Sequence, residues 1–353
     1  MDFFIMIYHH VCIEAVTHIL PPEIVTTEEI ERRLQPVYER LHLSPGRLEW
    51  MTGIRERRLW NRGTLPGTQS IQTVQKLLEK AAFPAEKIGC LIHGSVCRDY
   101  LEPATACGVH QGAGLPPHCQ IFDVSNACLG LLTGVLQIAN MIELGQIEAG
   151  IVVGTEDSRS LLETTLEQMN QDMTLTRQSI KPFFASLTIG SSSAALLLTH
   201  RKISRTQWHL AGGNYRANTA FCHLCRSDES VKTGDSMKTD SEQLLLQGVD
   251  TAKTLFPLFL TELGWQRENI ERFFCHQVGK AHQKRLYDEL ELDTERDFST
   301  LEYTGNTGSA ALPTALSIGL ERGICQPGDR VALLGIGSGI NSVMLGLSRV
   351  HTT

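Results

Sequence analysis

Residues 123–132 read DVSNACLGLL, and they join a β-favouring apolar run to a strongly helical one. The first run is Gln120-Ile121-Phe122, and the helical run carries apolar residues as far as Ile142. Cys128 is therefore expected where a strand turns into a buried helix. A helix N-terminus offers unpaired N–H groups and the positive end of the helix dipole, and both favour a thiolate. Two interpretations are open on this stretch alone: a nucleophilic cysteine, or a small apolar residue that packs a core helix.

Length and composition indicate a globular protein with two core-bearing halves. The chain has 353 residues, of which 42% are hydrophobic and 20% charged, with a formal net charge of -7. Because no basic patch accompanies this acidic balance, nucleic acid is not expected as a partner. The cysteines form no compact framework, which predicts reduced thiols and a cytoplasmic location. The longest apolar helical pattern, about 128–142, is too short for a bilayer, so no integral membrane segment is expected.

The two halves of the sequence repeat one arrangement. Asn126 begins a helix rich in small residues, and the strand that follows it closes at Gly154. Asn306 begins a similar helix, and its strand closes at Gly335 after nearly the same interval. Alternating strands and helices predict a mostly parallel sheet covered by helices in each half. We therefore divide the chain into an N-terminal half, 1–204, with the nucleophilic Cys, and a C-terminal half, 205–353, with the His and Asn.

The repeat also aligns two strands that lie upstream of these helices. Gly89–Gly94 occupies the place that Arg272–Gln277 holds in the second half. Two sheets related by a pseudo-twofold axis would bring Cys128, His276 and Asn306 to one face, where open α/β sheets bind ligands. His276 as a core histidine and Asn306 as a turn residue are the other interpretations, and their joint spacing with Cys128 argues against both.

Four motifs together resemble the ketoacyl-acyl-carrier-protein synthase III group of the thiolase superfamily. They are NACLG at 126–130, CHQVG at 275–279, GNTGS at 305–309 and GIGSG at 335–339, and TGIRER at 52–57 also matches. The order Cys, His, Asn agrees with the group, and the resemblance runs from about Val11 to Leu347. It implies an α/β, thiolase-like fold of two pseudo-twofold-related halves, layered α-β-α-β-α.

A closer resemblance is to the long-chain acyl-CoA condensing subgroup of bacterial olefin biosynthesis. That subgroup carries a glutamate ahead of the nucleophile, in a motif matched here by Val96–Pro103, with Glu102 at the position of the glutamate. The resemblance implies a homodimer in which Glu102 enters the partner's active site. The other interpretation of Glu102 is a loop carboxylate that precedes a proline.

The chain also departs from the synthase III pattern. Arg47 and Met51 stand, by spacing from the TGI motif, where bacterial fatty-acid enzymes grip the CoA adenine with tryptophan and arginine. The segment Leu187–Ser191 lacks the usual acidic residue. Residues that contact CoA are therefore not assigned.

These residues predict a two-step chemistry. Cys128 takes an acyl group from a thioester, and the backbone N–H groups of Cys128 and Gly339 bind the oxyanion. His276 can hold the thiolate as an ion pair. In the second step, His276 and Asn306 donate hydrogen bonds to the thioester oxygen of another acyl group. With a plain acyl-CoA a base must remove the α-proton, and Glu102 is the candidate, with a pKa that burial in an apolar tunnel would have to raise.

Three functions are open at this point. The first is a Claisen condensation of two long-chain acyl-CoA thioesters to a β-ketoacyl product. The second is a malonyl-dependent synthase or related acyltransferase, and the third is a catalytically silent scaffold subunit. Acyl-CoA or acyl-carrier protein is the expected partner, and no cofactor is expected beyond CoA thioesters as substrates. The single pair Cys222-x-x-Cys225 is weak evidence for zinc, and no metal is predicted.

Overall fold

The structure is a computed structural model, and it describes residues 6–206, 208–227 and 237–349. Its strands are β1 Met6–Ile7, β2 Val11–Ile19, β3 Glu23–Thr26, β4 Glu56–Leu59, β5 Cys90–Gly94, β6 Gln120–Val124, β7 Ala149–Glu156, β8 Ser192–His200, β9 Trp208–Ala217, β10 Cys225–Ser227, β11 Met237–Thr239, β12 Arg272–Cys275, β13 Arg330–Gly337 and β14 Asn341–Arg349. Its α-helices are α1 Thr27–Arg33, α2 Gln35–Arg40, α3 Arg47–Thr52, α4 Pro66–Ala81, α5 Thr105–Gly112, α6 Gly130–Glu143, α7 Arg159–Gln171, α8 Ser241–Leu263, α9 Lys280–Leu290, α10 Leu301–Thr304 and α11 Ala311–Glu321. Within these ranges, no helix combines the length and the apolar character needed to cross a membrane.

A 10-stranded sheet forms the centre of the molecule. Its order is β12-β13-β14-β9-β2-β8-β7-β5-β6, and β1 pairs with β9. Strands β5, β6 and β7 are parallel to one another, as are β12 and β13, but β8, β2, β14 and β9 pair antiparallel. The prediction of mostly parallel sheets is therefore wrong, because the sheet is mixed. One reason is visible at 338–340, where a connection this short can join β13 only to an antiparallel neighbour.

The sheet consists of two half-sheets that share one strand order. Between β2 and β9 a single residue pair, Cys12 with His209, continues the ladder. In space, the first half-sheet runs β5-β7-β8-β2 from its outer part to the centre. The second half-sheet runs β12-β13-β14-β9 in the same direction. The directions of the strands agree as well, since in each set the first pair is parallel and the next two pairs are antiparallel.

Strand residues alternate between two hydrophobic cores. In β13, Val331 and Leu333 face a core shared with α6 and α11, whereas Ala332 and Leu334 face a core shared with α8 and α9. In the other half-sheet, the central core takes Ile92 of β5, and a third core lies under α4 and α5. This period of two follows from strand geometry. It produces five layers, with α6 and α11 in the middle, and the predicted α-β-α-β-α arrangement is confirmed.

Two glycines let the central helix start against the sheet. A Cβ atom on Gly130 would lie 2.8 Å from the backbone carbonyl carbon and oxygen of Gly94, at the end of β5. Real Cβ atoms do not approach a backbone this closely, so α6 can begin here only with glycine at its first position. The contact fixes the turn that precedes α6 against the carboxyl ends of the parallel strands.

Candidate active site

Cys128 lies in the tight turn between β6 and α6. The helix starts at Gly130, so Cys128 lies two residues before the helix that we expected to begin at the cysteine. Ala127, directly before the cysteine, has a φ of 45°, which is unusual for a residue with a side chain. Strained backbone of this kind is retained where the surrounding structure holds it, often at functional sites.

The side chain of Asn126 holds this turn from two directions. Its Nδ2 donates to Thr133 Oγ1 of α6 at 3.0 Å, and its Oδ1 accepts from Asn341 Nδ2 of β14 at 3.1 Å. Helix α6 follows β6 of the first half-sheet, whereas β14 belongs to the second half-sheet. The two halves of the protein therefore meet at the nucleophile. The motif NACLG thus needs its asparagine for structure rather than for direct chemistry.

The turn between β13 and β14 contacts the cysteine from the second half. The backbone of Ser338 makes a hydrogen bond with the Cys128 thiol. Gly339, the predicted oxyanion donor, is the next residue and has a φ of 128°, a conformation that favours glycine. The backbone of the GIGSG motif therefore lies directly beside the predicted nucleophile.

His276 directly follows β12, the strand that pairs with β13. Its backbone N–H donates to the carbonyl of Leu334 of β13 at 2.9 Å, one position before the first glycine of the GIGSG motif. The side chain is buried, and this burial, with a smaller effect of His282, lowers the pKa of His276 to about 3. The imidazole is therefore neutral near pH 7, with one nitrogen that donates and one that accepts.

Asn306 lies on a loop that the segment 187–191 clamps. Its backbone N–H donates to Thr188 and its backbone carbonyl accepts from Gly190, each at 2.9 Å. Its side-chain oxygen accepts from the N–H of Gly308 at 3.1 Å, which makes the NH2 group the end that can donate to a substrate. A Cβ on Gly190 would collide with the carbonyl oxygen of Thr304. The segment that lacks the group's acidic residue therefore keeps a structural role.

The ionisation of Cys128 differs from the expectation. Burial raises the pKa of Cys128 to about 12, the negative charge of Glu156 and a smaller electrostatic effect of Cys225 add to this, and the Ser338 backbone opposes it. These pKa directions favour a neutral thiol and a neutral imidazole in the free protein over the expected ion pair of thiolate and imidazolium. Cys128 lies in the turn before α6, and desolvation of the thiol is the largest effect on its pKa.

The first prediction concerns this neutral state. Alkylation of Cys128 by iodoacetamide should accelerate about tenfold per pH unit from pH 7 to pH 10, because only the thiolate reacts and its pKa lies above this range. Peptide mass spectrometry of the segment around Cys128, sampled over time at each pH, measures the rate. A plateau of high reactivity below pH 8 would indicate the ion pair and contradict this account.

Glu102 differs from the other three predicted residues in its exposure to solvent. It is exposed on the surface of the single chain, in the loop between β5 and α5. Apolar neighbours are exposed with it: Val96 at 56%, Tyr100 at 58% and Leu101 at 95%. No apolar tunnel of its own chain buries Glu102, so the burial that its predicted role as a base requires must come from another molecule.

One residue of the site was missed in the sequence. Glu156 ends β7, is 5% exposed and carries a charge that acts on Cys128. The sequence contains a signal for it, because Glu156 is the single charged residue of β7 and stands at the carboxyl end of this strand. Ligands of α/β sheets bind at such strand ends.

Comparison with known proteins agrees with this geometry. A family model for the C-terminal part of 3-oxoacyl-[acyl-carrier-protein] synthase III matches residues 260–346, and the thiolase N-terminal domain matches 68–211. The acyl-CoA:acyl-CoA alkyltransferase of Shewanella oneidensis is 36% identical over 97% of this chain and 99% of its own length. The enzyme of that name from Xanthomonas campestris is 36% identical over 96% of this chain and 98% of its own.

The chain belongs to the acyl-CoA:acyl-CoA alkyltransferase family.

Solved structures place this family on the same fold. Cerulenin-bound OleA from Xanthomonas campestris superposes with a TM-score of 0.93 at 36% identity, covering 97% of this chain and 98% of that one. A variant of the same protein, solved with lauric acid and lauroyl-CoA, gives a TM-score of 0.92 at 35% identity over 97% of this chain and 99% of that one. The predicted thiolase-like fold and the predicted membership of the superfamily are thus confirmed, and the protein is a condensing acyltransferase.

Proposed function

We propose that this protein joins two acyl-CoA thioesters by a Claisen condensation, through an acyl group on Cys128, and forms a β-ketoacyl product. The observation that carries the proposal is the meeting of three segments at one end of the sheet: the Cys128 turn, the end of β12 at His276 and the clamped loop of Asn306. The relatives named for acyl-CoA:acyl-CoA transfer give the substrate class.

In the first half-reaction Cys128 attacks the carbonyl carbon of one acyl-CoA. The thiol proton passes to the imidazole of His276, which can accept it because the ring is neutral and one ring nitrogen is unprotonated. The backbone N–H groups of Cys128 and Gly339 stabilise the oxyanion. The intermediate then collapses, CoA leaves with the proton as a thiol, and the acyl group stays on sulfur.

In the second half-reaction a base removes the α-proton of another acyl-CoA. The enolate oxygen accepts hydrogen bonds from the N–H of neutral His276 and from the NH2 group of Asn306. The α-carbon attacks the acyl carbon, the bond to Cys128 Sγ breaks, and the sulfur regains a proton. One β-ketoacyl-CoA and one CoA thiol result from two acyl-CoA molecules.

Glu102 of a second copy is the proposed base, in a homodimer. Leu101 and Tyr100 give its loop an exposed apolar surface that a partner would cover. Strand β6 forms one edge of the sheet and directly precedes the Cys128 turn, and its side chains Ile121, Phe122 and Val124 are half-buried. An unpaired edge of this kind is a ready template for another strand. Pairing there would bring the partner's loops beside this site.

The malonyl-dependent alternative has weaker support. The synthase III of Bacillus anthracis, for example, is 24% identical over 84% of this chain. The silent-subunit alternative loses its support because Cys128, His276 and Asn306 are all present.

The second prediction separates the condensation from its alternatives. Incubated with lauroyl-CoA as the sole substrate, the protein should release one CoA thiol for each β-ketoacyl-CoA formed, over many turnovers. A thiol-reactive dye quantifies CoA, and mass spectrometry quantifies the product. Release of one CoA per protein without product would show acylation only and would favour the malonyl-dependent reaction.

A further inference from the structure

Glu156 is a buried carboxylate that accepts hydrogen bonds from two different loops. Its Oε1 accepts from the backbone N–H of Val96 at 3.1 Å and from that of Ser309 at 3.2 Å, and it also accepts the Ser309 hydroxyl. Its Oε2 accepts from the N–H of Cys97 at 3.4 Å. Its backbone carbonyl is used separately, by the indole of Trp60.

The two loops are those that carry the groups of the second half-reaction. Ser309 follows Asn306 by three residues, and Ser309 also donates to Gly94 at 3.0 Å, where β5 ends. Val96 and Cys97 begin the loop that leads to Glu102. One carboxylate on the rigid end of β7 therefore ties together the loop of Asn306 and the root of the loop of Glu102.

The turn of Cys128 is held by other contacts. Asn126 fixes it through Thr133 and Asn341, and Ser338 makes a hydrogen bond with the thiol. The carboxylate of Glu156 takes no part in these hydrogen bonds. Loss of the carboxylate would consequently loosen the two loops and leave the nucleophile in place.

We propose that Glu156 is the positioning residue of the condensation step, which holds the loop of Asn306 and the root of the Glu102 loop in register with acylated Cys128. This inference rests on the proposed function for the roles of Asn306 and Glu102. It assigns Glu156 no contact with substrate. A misplacement of about 1 Å in a positioned group can lower a rate by about 10²-fold, so a single carboxylate in this place can decide the rate of condensation.

The third prediction tests this inference with Glu156→Gln. The amide has nearly the shape of the carboxylate, but its NH2 group cannot accept, so at least one of the three backbone donors loses its partner. Condensation should fall by about 10²-fold. Acylation of Cys128 by lauroyl-CoA, followed by intact mass, should not fall, because the Cys128 turn keeps its own contacts and removal of the Glu156 charge lowers rather than raises the pKa of the thiol.

Glu14→Gln is the matched control. Glu14 is also buried and accepts from Thr199, Ser204 and the backbone of Arg205, but it lies on β2 and has no contact with either loop. The Glu14→Gln substitution should lower the melting temperature of the protein without changing the ratio of the condensation rate to the acylation rate. If Glu156→Gln does not fold, Ser309→Ala removes one of the donors and should change that ratio in the same direction by a smaller factor.

Hydrogen exchange gives a readout that does not depend on the reaction. In Glu156→Gln, exchange should speed up in peptides that cover 94–103 and 304–310 and stay unchanged in 126–133. A parallel fall of acylation and condensation, or unchanged condensation, would overturn the inference. If the unchanged protein does not condense lauroyl-CoA, the proposed function fails by itself, and exchange alone then decides whether Glu156 holds the loops.

Discussion

Cys128→Ala should form no acyl adduct with lauroyl-CoA and should lose β-ketoacyl synthesis by about 10⁴-fold or more. Loss of a nucleophile removes the covalent step itself, and the remaining groups cannot replace it. The fold should persist, because the turn is held by Asn126 and by the contact of Gly130 with Gly94 rather than by the thiol. Intact-protein mass spectrometry measures the adduct, and chromatography of the extracted lipid measures the product.

Cys225→Ala is the matched control for this result. Cys225 lies close enough to Cys128 to affect the pKa of its thiol, but the proposed reaction does not use it. This variant should still acylate and condense. An acyl adduct that persists in Cys128→Ala, or that disappears in Cys225→Ala, would assign the nucleophile to another cysteine and contradict the account.

Glu102→Ala should acylate Cys128 at a normal rate and condense poorly. Positioned general bases contribute about 10²–10⁴-fold, and condensation should fall within this range. Accumulation of the acyl adduct under conditions in which the unchanged protein turns over is the expected observation. Normal condensation by Glu102→Ala would remove Glu102 from the mechanism.

Mixing two inactive variants tests whether Glu102 acts in the partner's site. In a mixed dimer of Cys128→Ala and Glu102→Ala, one of the two sites has both an intact Cys128 and an intact Glu102 from the other chain. After the subunits exchange at random, activity should recover to about a quarter of the unchanged protein, since half of the dimers are mixed. Light scattering gives the oligomeric state. No recovery in a mixed dimer would place Glu102 in the site of its own chain.

Most of the fold was predictable because it follows from periodicity and from repeated motifs. The strand of Cys90 and the strand of Cys275 were recognised as equivalent, and they occupy equivalent places in the two half-sheets. The antiparallel strands were not predicted, because an apolar strand has the same composition whichever way its neighbour runs. The direction depends on the length of the connection, as the short turn at 338–340 illustrates.

The chemistry of the site was less predictable than its residues. The identities of Cys128, His276 and Asn306 follow from motifs, and the structure places their segments at one end of the sheet. The protonation of Cys128 does not follow from motifs, because it depends on the depth of burial and on the charge of Glu156, which is distant in sequence. Glu156 acts through loops that only the fold brings together, and its sequence neighbours do not reveal them.

The origin of the attacking carbanion is the central claim, and a labelled competition tests it most directly. The protein is incubated with uniformly ¹³C-labelled lauroyl-CoA in the presence of unlabelled malonyl-CoA, and the mass of the β-ketoacyl product is measured. We expect a product in which every chain carbon is labelled, because both chains come from lauroyl-CoA. A product with one labelled chain and two unlabelled carbons, formed with release of carbon dioxide, would contradict it.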